Sequence, residues 1–127
     1  MISDLRYTIS LIEPQIVKIE VHEDAEIDLR EAIDMRQKAL QLVGDKKFAI
    51  LFDANHRGHI TPEAREQFAC KEYTDVRIGA AIVTNSLANK IIGNFFIKFN
   101  KPATPTRIFS DQESAVLWLK EQICKVI

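Results

Sequence analysis

The chain has 127 residues, of which 46% are hydrophobic and 28% charged, so we expect one core and a single domain over residues 1–127. A formal net charge of -1 argues against a nucleic-acid partner. The sequence has neither a signal-peptide pattern nor an apolar stretch of bilayer length, and its two cysteines lack metal-ligand spacing. We therefore expect a cytoplasmic protein with reduced thiols.

Alternating apolar and polar residues predict two strands at the start of the chain. Leu5 to Leu11 and Val17 to Val21 each place an apolar side chain at every second position, which is typical of a half-exposed strand. Pro14 lies between them in a turn, so the two strands are predicted to form an antiparallel hairpin.

The first helix has a signal at each end. Asp28 and Glu31 have the spacing of a capping box, in which each side chain accepts a hydrogen bond from a free backbone N–H. Gly44 stands where a left-handed residue would end the helix. These signals predict a helix over residues 29–43.

The stretch that follows is the expected centre of function. Residues 48–52 form a short apolar run, typical of a parallel strand buried on both faces. The run ends at Asp53 in a polar loop over residues 54–61, and Pro62 is a helix-entry signal. Open α/β sheets usually bind their ligands at such a corner. The partner-binding residues predicted here are Asp53, Asn55, His56, Arg57, His59 and Thr61.

The second half of the chain alternates helices and strands. The predicted order is therefore β-β-α-β-α-β-α-β-α, an α/β fold with a mixed sheet, an N-terminal antiparallel hairpin and helices packed against the sheet. The remaining predicted elements are a helix from Pro62 to about Glu72, a strand from Val76 to Thr84, a helix capped by Ser86 and ending near Asn100, a strand from Thr106 to Phe109, and a helix from a Ser110–Glu113 box to about Lys125.

Apolar residues lie on more than one side of the third helix. Phe96 and Ile97 fall outside the predicted core face and are expected to form a contact surface. Asn89 and Gly93 would allow a second copy to approach beside Phe96, so a homodimer through this helix is also expected. At roughly 100° per residue, the residues predicted to face the core are Ala88, Ile91, Ile92, Phe95 and Phe99.

Charge is distributed unevenly along the sequence. Seven acidic residues between Glu20 and Asp34 are opposed only by Arg30, whereas no acidic residue occurs from Val76 to Ser110. This asymmetry could orient a partner, a second copy or an anionic surface, or it could reflect two solvated faces of different composition. The basic residues of the acid-free stretch are Arg77, Lys90, Lys98, Lys101 and Arg107.

Catalytic and metal-binding sets are incomplete. His56 and His59 have a spacing of three, but no further cysteine or carboxylate spacing completes a ligand set. Asp53 could pair with a histidine as acid and base, yet the loop contains no serine or cysteine nucleophile. Because glycine-rich phosphate motifs are also absent from the sequence, we expect a non-enzymatic protein without cofactor or metal.

The element order, with a strand that ends in Asp53 before a loop and a helix, resembles the STAS domain of bacterial anti-sigma-factor antagonists. The run from Gly93 to Pro102 and the segment from Pro105 to Phe109 are similar to uncharacterised bacterial STAS-like proteins. The resemblance implies a regulatory module that binds an unknown protein partner. Antagonist STAS domains carry a phosphorylatable serine in an Asp-Ser-Ser-Gly-type motif, and Thr61 is the only hydroxyl residue at that place. As a helix cap it would be committed to a backbone N–H, so the serine switch is not expected here.

Two further hypotheses stay open beside the interaction module. The fold also resembles the CRAL-TRIO lipid-transfer domains, which bind an apolar ligand beneath a movable helix. A hydrophobic-ligand or membrane-surface protein would use the lysines of the third helix together with Phe96 and Ile97. An enzyme would use Asp53, His56 and His59.

Overall fold

The alternating pattern at the start of the chain forms a hairpin that opens a six-stranded sheet. The computed structural model describes residues 2–3, 5–44, 46–55, 58–71 and 76–126. Within these residues the sheet order is β1-β2-β3-β5-β7-β8, and β4 pairs with β6 in a separate two-stranded ladder. The strands are β1 (Ile2–Ser3), β2 (Tyr7–Glu13), β3 (Ile16–Val21), β4 (Glu26–Ile27), β5 (Phe48–Asp53), β6 (His59–Ile60), β7 (Arg77–Val83) and β8 (Thr106–Phe109).

One strand of this sheet, β2, runs opposite to all the others. β2 pairs antiparallel with β1 and β3, whereas β3, β5, β7 and β8 run parallel to one another. The predicted α/β class with an N-terminal hairpin and a mixed sheet is therefore confirmed. Among the described strands, the very short β1, β4 and β6 lie outside the predicted order. The helices are α1 (Leu29–Val43), α2 (Pro62–Ala69), α3 (Leu87–Phe95) and α4 (Gln112–Lys125), and a π-helical segment (Phe96–Asn100) continues α3.

Helices cover both faces of the parallel strands. Successive side chains of a strand point to opposite faces, so Phe48 joins the core beneath α1, and Ala49 and Leu51 join the core beneath α4. α2 packs against α1 and against the π-helical segment on the α1 side of the sheet. The continuous apolar runs of β5 and β7 follow from this burial on both faces.

The helix-end signals were read correctly for α1 and one residue too early for α4. Asp28 and Glu31 form the predicted capping box, and Gly44 ends α1 with φ of 67°. At α4 the predicted cap at Ser110 is wrong. Asp111 accepts from the backbone N–H of Ser114 at 2.7 Å and from its hydroxyl at 3.0 Å. These two hydrogen bonds hold the pKa of the Asp111 carboxyl below its usual range.

The third helix is rotated relative to the prediction. The stripe that was expected to face the core is exposed, whereas Gly93 is buried and Phe96 is half-buried against the sheet side. A helix with apolar residues on several sides can satisfy hydrophobic burial in more than one orientation. The residues of the predicted core face that are exposed are Ala88, Ile91, Ile92, Phe95 and Phe99.

Two local contacts explain this orientation of α3. The Asn89 side-chain amide donates to the backbone carbonyl of Ala54 at 2.5 Å, which ties the inner side of α3 to the end of β5. One turn later Gly93 allows close approach, because a Cβ there would lie 2.9 Å from Ile108 Cδ1. The π-helical turn after Phe95 adds residues to the turn and shifts the phase of those that follow.

Candidate functional site

A cavity of about 210 Å³ lies between the sheet and the helices α2 and α3. Its floor comes from β3, β5, β7 and β8, and its roof comes from Phe68 of α2 and from the inner side of α3. The exposed residue His59 lies at its rim, so this end reaches solvent. One water needs about 10–15 Å³ by the same measure, so the cavity is large enough for a small organic ligand. Its apolar wall includes Ile19, Ile50, Phe52, Ile82, Ile92 and Phe96.

Arg77 brings a positive charge to this apolar wall. It is the first residue of β7, it lines the cavity, and only 8% of it is exposed. Its Nε and Nη2 atoms are buried and have no hydrogen-bond partner among the described residues. A buried guanidinium is normally paired, because losing hydration without a partner is unfavourable by several kcal/mol.

The surroundings of Arg77 oppose its positive charge. Burial lowers the pKa of the Arg77 guanidinium from its ordinary value; proximity to Cys70 raises this pKa and the neighbouring Arg36 lowers it. An arginine stays protonated even so, because its ordinary pKa is far above neutrality. The end of the cavity near Arg77 is therefore positive and is complementary to an anion.

The predicted loop after β5 is held in place by its own polar residues. The N–H of Asn55 donates to the Asp53 carboxylate at 3.0 Å, and the Asn55 side-chain oxygen accepts from the N–H of Asn85 at 2.8 Å. Thr61 caps α2 by accepting from the N–H of Ala64 at 3.2 Å. The predicted residues Asp53, Asn55 and Thr61 thus fix the backbone at the rim of the cavity, and their role in binding a partner stays a prediction.

Of the two histidines of the predicted loop, the structure describes His59 but not His56. His59 is exposed, belongs to β6, and pairs with Glu26 of β4. His56 and Arg57, which were predicted to bind a partner, lie outside the described residues. The structure thus places His59 at the rim of the cavity, within a short ladder that was not predicted.

The predicted contact residues on the third helix lie on its inner side or flank. Asn89, Gly93 and Phe96 line the cavity, and Ile97 is half-buried. Phe96 and Ile97 were predicted to lie outside the buried face of the third helix. This prediction is wrong, because the helix is rotated. Asn89 and Gly93 both face the sheet side, and a homodimer through this helix stays a prediction.

The same rotation leaves a large apolar surface on the opposite side of α3. Leu87 is 75% exposed and Phe99 is 62% exposed. The rings of Phe95 and Phe99 stack with centroids 4.3 Å apart, and the ammonium of Lys98 lies 5.7 Å from the Phe99 centroid. We call this surface the outer face of α3; its residues are Leu87, Ile91 and Phe95 and, on the π-helical continuation, Phe99, whereas Ile92 lies between this face and the cavity.

Gly58 sets the path of the loop at the rim, and Gly58→Ala is expected to lower the free energy of unfolding by about 1–3 kcal/mol. A Cβ at this position would lie 2.3 Å from Val21 Cγ1 and 3.3 Å from the Ala25 carbonyl oxygen. Val21 is buried and cannot move aside. Urea denaturation measures the change.

Gly93→Ala is the matched control for Gly58→Ala. Its Cβ would come closest to the flexible end of Ile108, 2.9 Å from Cδ1, and its other contacts, with Ile108 Cγ1 at 3.5 Å and Ile82 Cδ1 at 3.9 Å, are ordinary. Alanine also favours the helix by roughly 0.8–1 kcal/mol over glycine. We expect little net change for Gly93→Ala. An equal decrease in the free energy of unfolding for the two variants would contradict the placement of Gly58 against Val21.

The sequence analysis predicted neither the cavity nor the buried guanidinium of Arg77 that lines it. The signal was present, since Arg77 is the one charged residue in the run from Val76 to Thr84 that was predicted to be buried. A charged residue inside such a run is expected either to pair or to face a site. Arg77 was grouped instead with the basic residues of the acid-free stretch.

The strand order, the helices on both faces and the corner at the end of β5 define a SpoIIAA-like α/β domain. A solved structure of this type is an uncharacterized protein from the DUF3478 family with a SpoIIAA-like fold from Shewanella loihica PV-4. It matches with a TM-score of 0.61 and 13% identity over 94% of this chain and 98% of that chain. The predicted STAS-like resemblance is thereby confirmed for the fold.

The chain belongs to the family described as domain of unknown function DUF7793, which matches residues 10–123. A second solved structure, a protein with unknown function from Arthrobacter sp. FB24, is 22% identical over 89% of this chain and 98% of that chain, with a TM-score of 0.33. None of the curated proteins matches this chain. Within the described residues, no helix combines the length and apolar character needed to cross a membrane.

Proposed function

We propose that the protein is a non-enzymatic binding module of the SpoIIAA-like fold, and that it docks on an anionic membrane surface through the outer face of α3. The observation that carries the proposal is the exposure of this apolar stripe beside lysine side chains. Monomeric soluble proteins rarely expose contiguous apolar patches of this kind without a binding role. A membrane surface accepts an apolar helix face in the plane of the interface without the helix crossing the bilayer.

Charge favours an anionic lipid surface over a second copy of the chain. Lys98 and Lys101 are exposed near the end of the outer face, and Lys90 is half-buried on α3. The sequence from Val76 to Ser110 has no acidic residue to oppose them. A two-fold pairing of α3 would gather the lysines of both copies at one interface without acidic residues from this stretch to oppose them, which is unfavourable. Anionic headgroups near the membrane would instead contribute about 1 kcal/mol for each lysine.

Phe99→Ser is expected to weaken binding to phosphatidylglycerol–phosphatidylcholine vesicles by about tenfold or more. A buried phenylalanine contributes roughly 1.5–3 kcal/mol, and 1.4 kcal/mol corresponds to tenfold in affinity. Lys98→Glu should also weaken binding, and added salt should reduce the effect of this charge. Vesicle co-sedimentation measures both.

Leu117→Ser is the matched control, because Leu117 is 60% exposed on α4 at the other face of the sheet. It should leave vesicle binding unchanged. Equal loss for Phe99→Ser and Leu117→Ser would contradict docking through α3. The wild type could instead be a dimer that does not bind vesicles and that Phe99→Ser dissociates. That result would show that a second copy, and not a membrane, covers the outer face of α3.

A further inference from the structure

The inner side of α3 covers a site that differs from its outer face. The cavity beneath it is walled mainly by aliphatic and aromatic side chains, and none of the described residues that line it is acidic. Apolar cavities of this kind are poorly hydrated and take apolar ligands. The body of any ligand bound here would therefore be apolar.

The polar groups that line the cavity differ in whether they already form a hydrogen bond within the protein. The Asn89 amide donates to the Ala54 carbonyl at 2.5 Å, and the Thr106 hydroxyl donates to the Thr104 carbonyl at 3.0 Å. Arg77, in contrast, has two buried nitrogen atoms, Nε and Nη2, without a hydrogen-bond partner among the described residues. A planar guanidinium with free donors matches a carboxylate, which can accept two parallel hydrogen bonds.

The shape of the cavity suits a chain more than a compact group. Its lining extends along β7 from Arg77 to Ile82. Five residue steps at about 3.3 Å span roughly 16 Å. The rim near Ala54 and His59 lies at the carboxyl end of β5, whereas Arg77 begins β7 at the other end of the parallel strands.

We propose that this cavity binds a single-chain amphipathic carboxylate, with the carboxylate paired to Arg77 and the alkyl chain lying along the sheet beneath α3. The carboxylate would satisfy the donors that the protein leaves unpaired, and the chain would fill the apolar space. Arg36 next to Arg77 strengthens the preference for an anion, since its charge has the same sign. The inference does not depend on membrane docking, because it concerns the opposite side of α3.

Dodecanoate and dodecanol, both below their aggregation concentrations, test the proposal by isothermal titration calorimetry on the full chain. Dodecanoate is expected to bind saturably and about tenfold to a hundredfold more tightly than dodecanol, as expected for a charge-assisted hydrogen bond. Arg77→Met should remove this difference by weakening dodecanoate alone. Equal affinities for wild type, or no saturable binding of dodecanoate, would overturn the proposal.

Three further variants separate the proposal from its alternatives. Ala80→Phe would fill the cavity from β7 and should abolish binding of both probes, so the proposal stays testable if Arg77→Met does not fold. Arg65→Met changes the other arginine of the lining and should alter affinity by less than about threefold. If Arg65→Met removes the preference for dodecanoate and Arg77→Met does not, the carboxylate pairs with Arg65 and the proposed pairing with Arg77 is wrong. Phe99→Ser should leave dodecanoate affinity unchanged, which distinguishes this site from the outer face of α3.

Discussion

Leu119→Ala is expected to lower the free energy of unfolding by about 2–5 kcal/mol, the range found when a buried leucine leaves a cavity. Leu119 is 0% exposed on α4 and packs with Leu51 of β5 and Ala81 of β7. α4 covers the face of these strands that lies opposite α1 and α2. The variant thus tests whether the central strands depend on burial at both faces. Urea denaturation followed by circular dichroism measures the change.

Leu117→Ala is the matched control, because the same chemical change is made two residues away on the same helix. Leu117 is 60% exposed, so its truncation should change stability by less than about 0.5 kcal/mol. Similar losses at the two positions would mean that α4 does not pack through the face that contains Leu119. An unchanged midpoint for both variants would mean that α4 contributes little to the core.

The difference between these two leucines could be predicted from the sequence because Ala115, Leu119 and Ile123 recur at a spacing of four, which places them on one face of α4. Leu119 falls on this face and is buried, whereas Leu117 falls outside it and is exposed. The same holds for α1, whose capping box and terminal glycine act within a few residues of each other. Local signals of this kind do not depend on what packs elsewhere, so they can be read without the fold.

The orientation of α3 could not be predicted in this way, because its dominant apolar stripe is the side that the structure leaves exposed. The hydrophobic pattern alone favours burial of the largest stripe. The structure instead buries the side that carries Asn89 and Gly93, through a hydrogen bond to Ala54 and a close approach to Ile108. Both contacts join residues far apart in sequence, so they arise only once the sheet has formed. The pairing of β4 with β6 is non-local in the same sense.

The candidate site was predicted only in part. The corner after β5 has the predicted order of strand, loop and helix, and Asp53, Asn55 and Thr61 hold its backbone, while their role in binding stays a prediction. The cavity itself requires α3 to span from this corner toward the start of β7, and its orientation was predicted wrongly. Residues that violate a local rule, such as a charge in a buried strand, are often found at functional sites. Arg77 is such a residue.

Arg77→Met is expected to raise the free energy of unfolding of the ligand-free protein by about 1–4 kcal/mol. This is the range reported when buried ionic groups are replaced by apolar residues of similar volume. Methionine is flexible enough to fill the space of the arginine side chain, and it removes two buried donors that lack a partner among the described residues. Urea denaturation of the ligand-free protein measures the change.

Arg30→Met is the control for this substitution, since Arg30 is exposed on α1 and its replacement should change stability by less than about 0.5 kcal/mol. A loss of stability in Arg77→Met alone would show that Arg77 is satisfied within the free protein, and the argument for an anionic ligand would fail with it. A gain of stability in Arg77→Met would mean that the buried charge of Arg77 lowers the stability of the ligand-free protein. An anion that neutralises the charge would account for it. A ligand that binds only the folded state stabilises that state by an amount that grows with the logarithm of the ratio of ligand concentration to Kd. Dodecanoate should therefore raise the unfolding midpoint of the wild type and leave that of Arg77→Met nearly unchanged.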